Sequence, residues 1–135
     1  MKRSDEEAQR WLRQALEDMI SARALLDAGR HYLVCFMCQQ VAEKALKAYL
    51  LSRREPPALT HGVDALCQSA GEHDASFLQL RRRVSILDSY YVPTRYPDSL
   101  PSGIPADVYN SDASRQAMQL AQEALDFVQA RLVSG

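Results

Sequence analysis

The sequence predicts an all-α protein, a bundle of helices with no sheet, and three observations lead to that fold class. Four segments longer than 20 residues contain neither glycine nor proline, namely 1–28, 30–55, 72–92 and 106–134. Strands average about five or six residues, so uninterrupted segments of this length favour helices. Apolar residues in these segments recur every three or four positions, and no segment alternates between polar and apolar residues as a half-buried strand does.

The first two helices are expected to form an antiparallel hairpin. The first is predicted over 4–28 and the second over 31–52. The apolar face of the first consists of Ala8, Leu12, Ala15, Met19, Ala22 and Leu26. Gly29 suits the position just after a helix, where the backbone turns left-handed. The apolar residues of the second helix cover most of its circumference, which is typical of a central helix.

Three further helices complete the predicted bundle, over 61–70, 75–91 and 111–132. The short one begins at Thr60 or His61, and the last has Ser111 or Asp112 as its N-cap. Between the last two lies an irregular loop of 18 residues, 92–109, with prolines at 93, 97, 101 and 105. Loops of this length are uncommon in compact domains and often functional, although a mobile surface excursion is the alternative.

Length, charge and cysteine content limit the possible functions. The chain has 135 residues, enough for a single domain over 1–135. Its 16 basic and 17 acidic residues give a net charge of −1, which argues against strong, sequence-independent binding to long DNA but allows a local basic patch. Three cysteines in a chain that needs no disulfide indicate a reducing cytosol. The longest apolar run, 32–38, is too short to span a membrane, so no membrane partner is expected.

A narrow polar strip interrupts the apolar surface of the second helix. It consists of Gln40, Glu43, Lys44 and Lys47. Residues three and four apart lie on one helical face, so these side chains are neighbours. The strip is interpreted either as a solvated face with a Glu43–Lys47 pair or as a set of donors and charges directed at a phosphate or a partner.

Tyrosines gather around one arginine near the long loop. The group consists of Tyr90, Tyr91, Arg95, Tyr96 and Tyr109. An arginine beside aromatic rings can bind a phosphate and stack a base, whereas tyrosines can equally cap the end of a bundle. We expect Arg95 to contact a phosphate or an acidic partner at the open end of a cleft floored by the polar strip. The competing interpretation is an internal tie from Arg95 to Asp98 or Glu43.

No metal, cofactor or redox motif is recognised. The sequence has no glycine-rich phosphate loop, no serine-hydrolase elbow and no zinc-protease motif. The three histidines lie in different segments, at 31, 61 and 73, so neither a metal nor a cofactor is expected. Cys35 and Cys38 have the spacing of a redox pair but fall inside a predicted helix, so they are interpreted as core residues.

Four elements of the sequence, which occur in the family's own order, resemble the HEPN domain family. They are Trp11 with Ala15, Asp18 and Ala22; the run Phe36–Ala48; Thr60-His61 followed by Val63 and Leu66; and Tyr90 or Tyr91 followed by Arg95-Tyr96-Pro97-Asp98. Together they cover nearly the whole chain, from about Ala8 to Val128.

The resemblance implies an up-and-down bundle of four or five helices, a two-fold homodimer and a prokaryotic, cytoplasmic protein. Members of the family are associated with nucleotide or RNA binding and are often encoded beside a minimal nucleotidyltransferase as a toxin–antitoxin-like pair. Many are metal-independent ribonucleases that place an arginine, and a histidine four to six residues after it, in a cleft at the dimer axis. Arg95 matches that arginine. The candidate ligand-binding residues are Arg95, Tyr96, Tyr91, Gln40, Glu43, Lys44 and Lys47.

The family's histidine does not carry over, because positions 100–102 are Leu, Pro and Ser. Cleavage of RNA through its 2′-hydroxyl needs a base and an acid, and a permanently protonated arginine is a poor proton shuttle. We therefore favour a binding module with no catalytic residue, beside a nucleotidyltransferase partner. Two alternatives stay open: a ribonuclease toxin with an altered acid–base residue, and a dimeric scaffold without a small ligand. His61 could serve the former if the fold brings it near, or it could be a capping or buried structural residue.

Overall fold

Helices account for most of residues 2–132, the part of the chain that the computed structural model describes. Within that range there are six α-helices, two 3₁₀ turns and no strand, so the predicted all-α fold is confirmed. The α-helices are α1 (Lys2–Asp27), α2 (His31–Ser52), α3 (Val63–Gly71), α4 (Phe77–Val84), α5 (Pro105–Val108) and α6 (Ser111–Leu132). The 3₁₀ turns are Ser85–Tyr90 and Pro97–Ser99.

The predicted turn at Gly29 closes the α1–α2 hairpin. Gly29 has a φ of 73°, a left-handed conformation that a Cβ atom would strain. The amide of Gly29 bonds the carbonyl of Leu26 at 3.0 Å, and the amide of Arg30 bonds that of Leu25 at 2.9 Å. These bonds satisfy carbonyls at the end of α1 and send the chain back along it.

Helix α2 is the central element of the bundle, as its apolar circumference predicts. Thirteen of its 22 residues are buried, and it packs against α1, α3 and α6. The buried positions include Gln39, Glu43 and Lys47, which are polar. Part of the polar strip therefore lies inside the protein.

The helix predicted over 75–91 is only partly α-helical, because α4 ends at Val84 and a 3₁₀ turn follows. In that turn the Asp88 carboxylate accepts the amides of Val63, at 2.7 Å, and Asp64, at 3.0 Å. Asp88 thus caps α3 from 25 residues away. The prediction that α3 begins at Thr60 or His61 was wrong for the same reason, since the amides satisfied first are those after Gly62.

The segment 92–109 is more ordered than the sequence predicts. It contains the turn Pro97–Ser99 and the helix α5, and each begins at a proline, whose missing amide is unused at a helix start. Thr94 is buried, and its hydroxyl bonds the carbonyl of Tyr90. The following cap also differs from prediction: Asn110, rather than Ser111 or Asp112, accepts an amide of the first turn of α6, at 3.0 Å.

Candidate functional site

Arg95 lies exposed among aromatic rings on the segment between the two 3₁₀ turns. Its Cζ is 4.8 Å from the ring centroid of Phe36, 4.6 Å from that of Tyr91 and 5.4 Å from that of Tyr96. Its Nε donates to the carbonyl of Tyr91 at 2.8 Å, which fixes the base of the guanidinium. Aromatic faces attract the cation without neutralising it.

No carboxylate within residues 2–132 forms an ion pair with Arg95. The internal tie to Asp98 or Glu43, which the sequence left as the competing interpretation, is therefore absent from the described chain. A guanidinium that keeps its charge and its outer N–H groups can bind a phosphate or carboxylate in bidentate fashion.

His61 joins this cluster through Tyr91. The His61 and Tyr91 rings are stacked, with centroids 5.9 Å apart and planes 12° apart, and the Tyr91 ring also lies 6.3 Å from that of Phe36. The His61 side chain is 57% exposed, so it is not the buried structural residue that the sequence allowed. The fold thus brings together three segments, from α2, the start of α3 and the loop after the first 3₁₀ turn.

The Glu43 carboxylate holds His61 from inside the bundle. Glu43 Oε2 contacts His61 Nδ1 at 3.1 Å and Lys47 Nζ at 2.9 Å, while Oε1 accepts a bond from Gln40 at 3.3 Å. Because a carboxylate only accepts hydrogen bonds, the contact assigns the imidazole proton to Nδ1. In the neutral ring, Nε2 is then left as a proton acceptor.

The two lysines of the strip are engaged in internal ion pairs. Lys47 is buried beside Glu43, and its Nζ lies 5.5 Å from the ring centroid of Trp11. Lys44 Nζ contacts the Asp18 carboxylate at 2.5 Å. The Glu43–Lys47 pair is present as predicted, but it is buried rather than solvated. In the described part of the chain, the strip therefore offers no free cation to floor a cleft, and Arg95 carries the unpaired charge of this cluster.

The tyrosines predicted as one group fall into two. Tyr91 and Tyr96 contact Arg95, whereas Tyr90 and Tyr109 pack edge to face at 5.8 Å and are partly buried. Burial raises the pKa of Tyr90 and of Tyr109, so their hydroxyls stay neutral. This second pair matches the alternative in which tyrosines cap the bundle.

Two residues of the cluster were not among the predicted ligand-binding residues. Phe36 lies one helical turn before Gln40 on α2, so its position on the face of the strip was readable from the i, i+4 spacing. His61 carried a weaker signal, since only its place beside Thr60 marked it and no local pattern places it near Arg95.

The cysteines belong to the core. Cys35, Cys38 and Cys67 are buried and free, and burial raises the pKa of Cys35 and of Cys67 to about 12 and that of Cys38 further. Thiols that stay protonated are poor nucleophiles and poor metal ligands. Residues 2–132 contain no group of three or more histidine, cysteine or acidic side chains placed to hold a metal ion. In the same range no helix is both long and apolar enough to cross a membrane.

Comparisons with known proteins agree on one family. The sequence model of the HEPN domain matches residues 8–131. Human sacsin is 34% identical over 117 residues, which is 84% of this chain, and the chain spans about 3% of the length of sacsin. The crystal structure of TT1696 from Thermus thermophilus is 35% identical with a TM-score of 0.81, covering 91% of this chain and 96% of that one. ST0689, an archaeal HEPN homologue, is 30% identical with a TM-score of 0.74, covering 93% and 97%.

Proposed function

This chain belongs to the HEPN domain family, and from that premise we propose that it is a nucleotide- or RNA-binding module that works beside a minimal nucleotidyltransferase in a toxin–antitoxin-like pair. The observation that carries the proposal is the exposed Arg95 guanidinium, which lies over three aromatic rings and forms no ion pair within residues 2–132. Arginine binds phosphate oxygens in bidentate fashion, and aromatic side chains stack unpaired bases. The cluster supplies both groups at one place on the surface.

Binding to single-stranded RNA and to nucleotides tests this assignment. We expect Arg95→Ala to weaken binding by about tenfold to a hundredfold, the range for a lost hydrogen bond to a charged group. Its melting temperature should fall by no more than about 5 °C, because exposed cation–π contacts stabilise by only about 0.5–1 kcal/mol each. The matched control is Arg23→Ala, which removes another exposed arginine of the described chain. Normal binding by Arg95→Ala, measured by fluorescence anisotropy, would overturn the assignment.

A ribonuclease with an altered acid–base residue is the second candidate, and the Glu43–His61 contact favours it. The buried carboxylate orients an exposed imidazole so that Nε2 can accept a proton. In this scheme Nε2 takes the proton of an RNA 2′-hydroxyl, the 2′-oxygen attacks phosphorus, and Arg95 stabilises the phosphate charge. The 5′-oxygen leaves and takes a proton from water, and the product is a 2′,3′-cyclic phosphate.

Cleavage in the presence of a metal chelator separates the two candidates. A catalytic His61 predicts that His61→Ala abolishes cleavage while RNA binding persists, and that induced expression of the unaltered chain arrests bacterial growth with RNA decay. Intact RNA and normal growth would leave the binding module as the function.

Homodimerisation and the nucleotidyltransferase partner are part of the same proposal. Exposed apolar side chains concentrate in the loops near Arg95, namely Leu59, Val92, Tyr96, Ile104 and Val108. Apolar surface of this kind is typically buried in an interface. Sedimentation should give about twice the chain mass of 15.2 kDa, and co-purification with a nucleotidyltransferase encoded in the neighbouring gene should yield a complex. A monomer that ignores that protein would contradict both expectations.

A further inference from the structure

A stripe of partly exposed side chains leads along α2 away from Arg95. Phe36, Gln40 and Lys44 are spaced by four residues, so they lie on one face of α2, and each is only partly buried. Phe36 contacts Arg95 at one end of the stripe. At a rise of about 1.5 Å per residue, Lys44 lies about 12 Å further along the helix axis.

The Lys44 end of the stripe opens into a groove between α1 and α2. The groove has a volume of about 700 Å³. The lining residues that matter here are Trp11, Leu16, Arg10, Arg13, Glu17 and Lys44. Trp11 is partly exposed on the groove, while Lys47 contacts its ring from the buried network. An indole held in this way offers a rigid stacking surface.

Arg13 is the groove's counterpart of Arg95. Arg10 pairs with Glu7 at 2.6 Å and Lys44 pairs with Asp18, whereas Arg13 is exposed and forms no ion pair with a residue between 2 and 132. The Glu17 carboxylate also lines the groove and opposes an anionic ligand there. Each end of the stripe therefore combines an aromatic ring with an arginine that has no carboxylate partner among the described residues.

We propose that the groove at Trp11 is a second subsite, so that a single-stranded oligonucleotide extends from Arg95 along α2 and stacks a base on Trp11 beside Arg13. This inference rests on the proposed function and narrows its ligand from a mononucleotide to a strand. Stacking platforms joined by cationic groups are how proteins bind single strands without reading sequence. A length of about 12 Å corresponds to about three stacked nucleotide steps of about 3.4 Å each.

The chain's one tryptophan provides a direct test of the second subsite. The probes are a dinucleotide and an octanucleotide of the same single-stranded RNA, titrated against the whole chain. We expect the octanucleotide to quench Trp11 fluorescence and the dinucleotide, bound at Arg95, to leave it unchanged. Quenching by neither probe, with the octanucleotide bound, would overturn the subsite.

Three substitutions locate the effect. Arg13→Ala should weaken octanucleotide binding about tenfold, leave dinucleotide binding unchanged, and lower the salt dependence by about 0.7 in log Kd per log salt. Glu17→Gln should strengthen octanucleotide binding, because it removes the opposing charge, and Arg23→Ala serves as the control with no effect.

The outcomes distinguish the two proposals. If Arg95→Ala weakens both probes while Arg13→Ala and Glu17→Gln change neither, the second subsite is wrong and the proposed function stands; the groove would then suit a protein partner. If neither probe binds the unaltered chain, the proposed function fails, and the subsite fails with it.

Discussion

Removing the Glu43 charge should destabilise this protein strongly, because it leaves Lys47 as a buried, unpaired ammonium. The two side chains are 5% and 7% exposed, and their ion pair is 2.9 Å long. Breaking a buried pair by removing one partner costs about 3–5 kcal/mol. With an unfolding entropy of about 2.1 cal/mol/K per residue, this cost lowers the melting temperature of a 135-residue chain by about 11–18 °C.

Glu43→Gln is the appropriate change, since glutamine keeps the shape of the side chain and an acceptor oxygen for His61. Calorimetry or thermal circular dichroism measures the melting temperature, and urea unfolding gives the free energy. The double variant Glu43→Gln/Lys47→Met removes both charges and keeps an unbranched side chain beside Trp11. Because neutral replacements of buried ion pairs are often tolerated, the double variant should recover most of the lost stability.

The double-mutant cycle also states what would refute this reasoning. If Glu43→Gln melts within about 2 °C of the unaltered chain, then Lys47 reaches water and the strip is a solvated face after all. If the two substitutions are additive, the ion pair contributes no coupling energy, and the buried network does not hold His61 in the way described.

Three further predictions concern the elements that frame the site. Asp88→Asn should lower the unfolding free energy by about 1–2 kcal/mol in urea titrations, because the amide group has one acceptor oxygen for the two amides that the carboxylate caps; an unchanged value would contradict the capping role. Gly29→Ala should destabilise by about 1–2 kcal/mol through its positive φ alone, since the added Cβ meets open space, and a higher melting temperature would contradict this. Hydrogen bonds from Ser76 and Arg131 lower the pKa of Asp74 to about 2. The stability that this carboxylate contributes is therefore present above about pH 4, its unfolded pKa, and lost as the pH falls toward 2, so Asp74→Asn should show a flatter acid profile than the unaltered chain.

Helix positions were largely predictable from the sequence, because helical periodicity is a local property. The stripes of α1 and α6 and the glycine turn at Gly29 each depend on residues within a few positions of one another. The predicted range 31–52 coincides with α2 (His31–Ser52) for the same reason. The end of α4 was not predictable, since the 3₁₀ turn accompanies a contact between Asp88 and amides 24 and 25 residues earlier.

The candidate site was predicted in part. Arg95, Tyr91 and Tyr96 lie close in the sequence, so their proximity followed from spacing. The roles expected for Lys44 and Lys47 depended on whether their charges are free, and that is decided by Asp18 on α1 and by burial beneath Trp11. A helical pattern shows which residues share a face but not which neighbour covers it.

The sequence by itself determined an all-α chain of HEPN type, with an arginine among tyrosines after the fourth helix. Only the tertiary structure decided that Phe36, His61 and Arg95 meet at Tyr91 and that Glu43 holds the imidazole from inside. The physical reason is the range of the forces involved. Backbone hydrogen bonds and periodic burial act within one helix, whereas the pairing of charges and the stacking of rings depend on how helices distant in sequence are packed together.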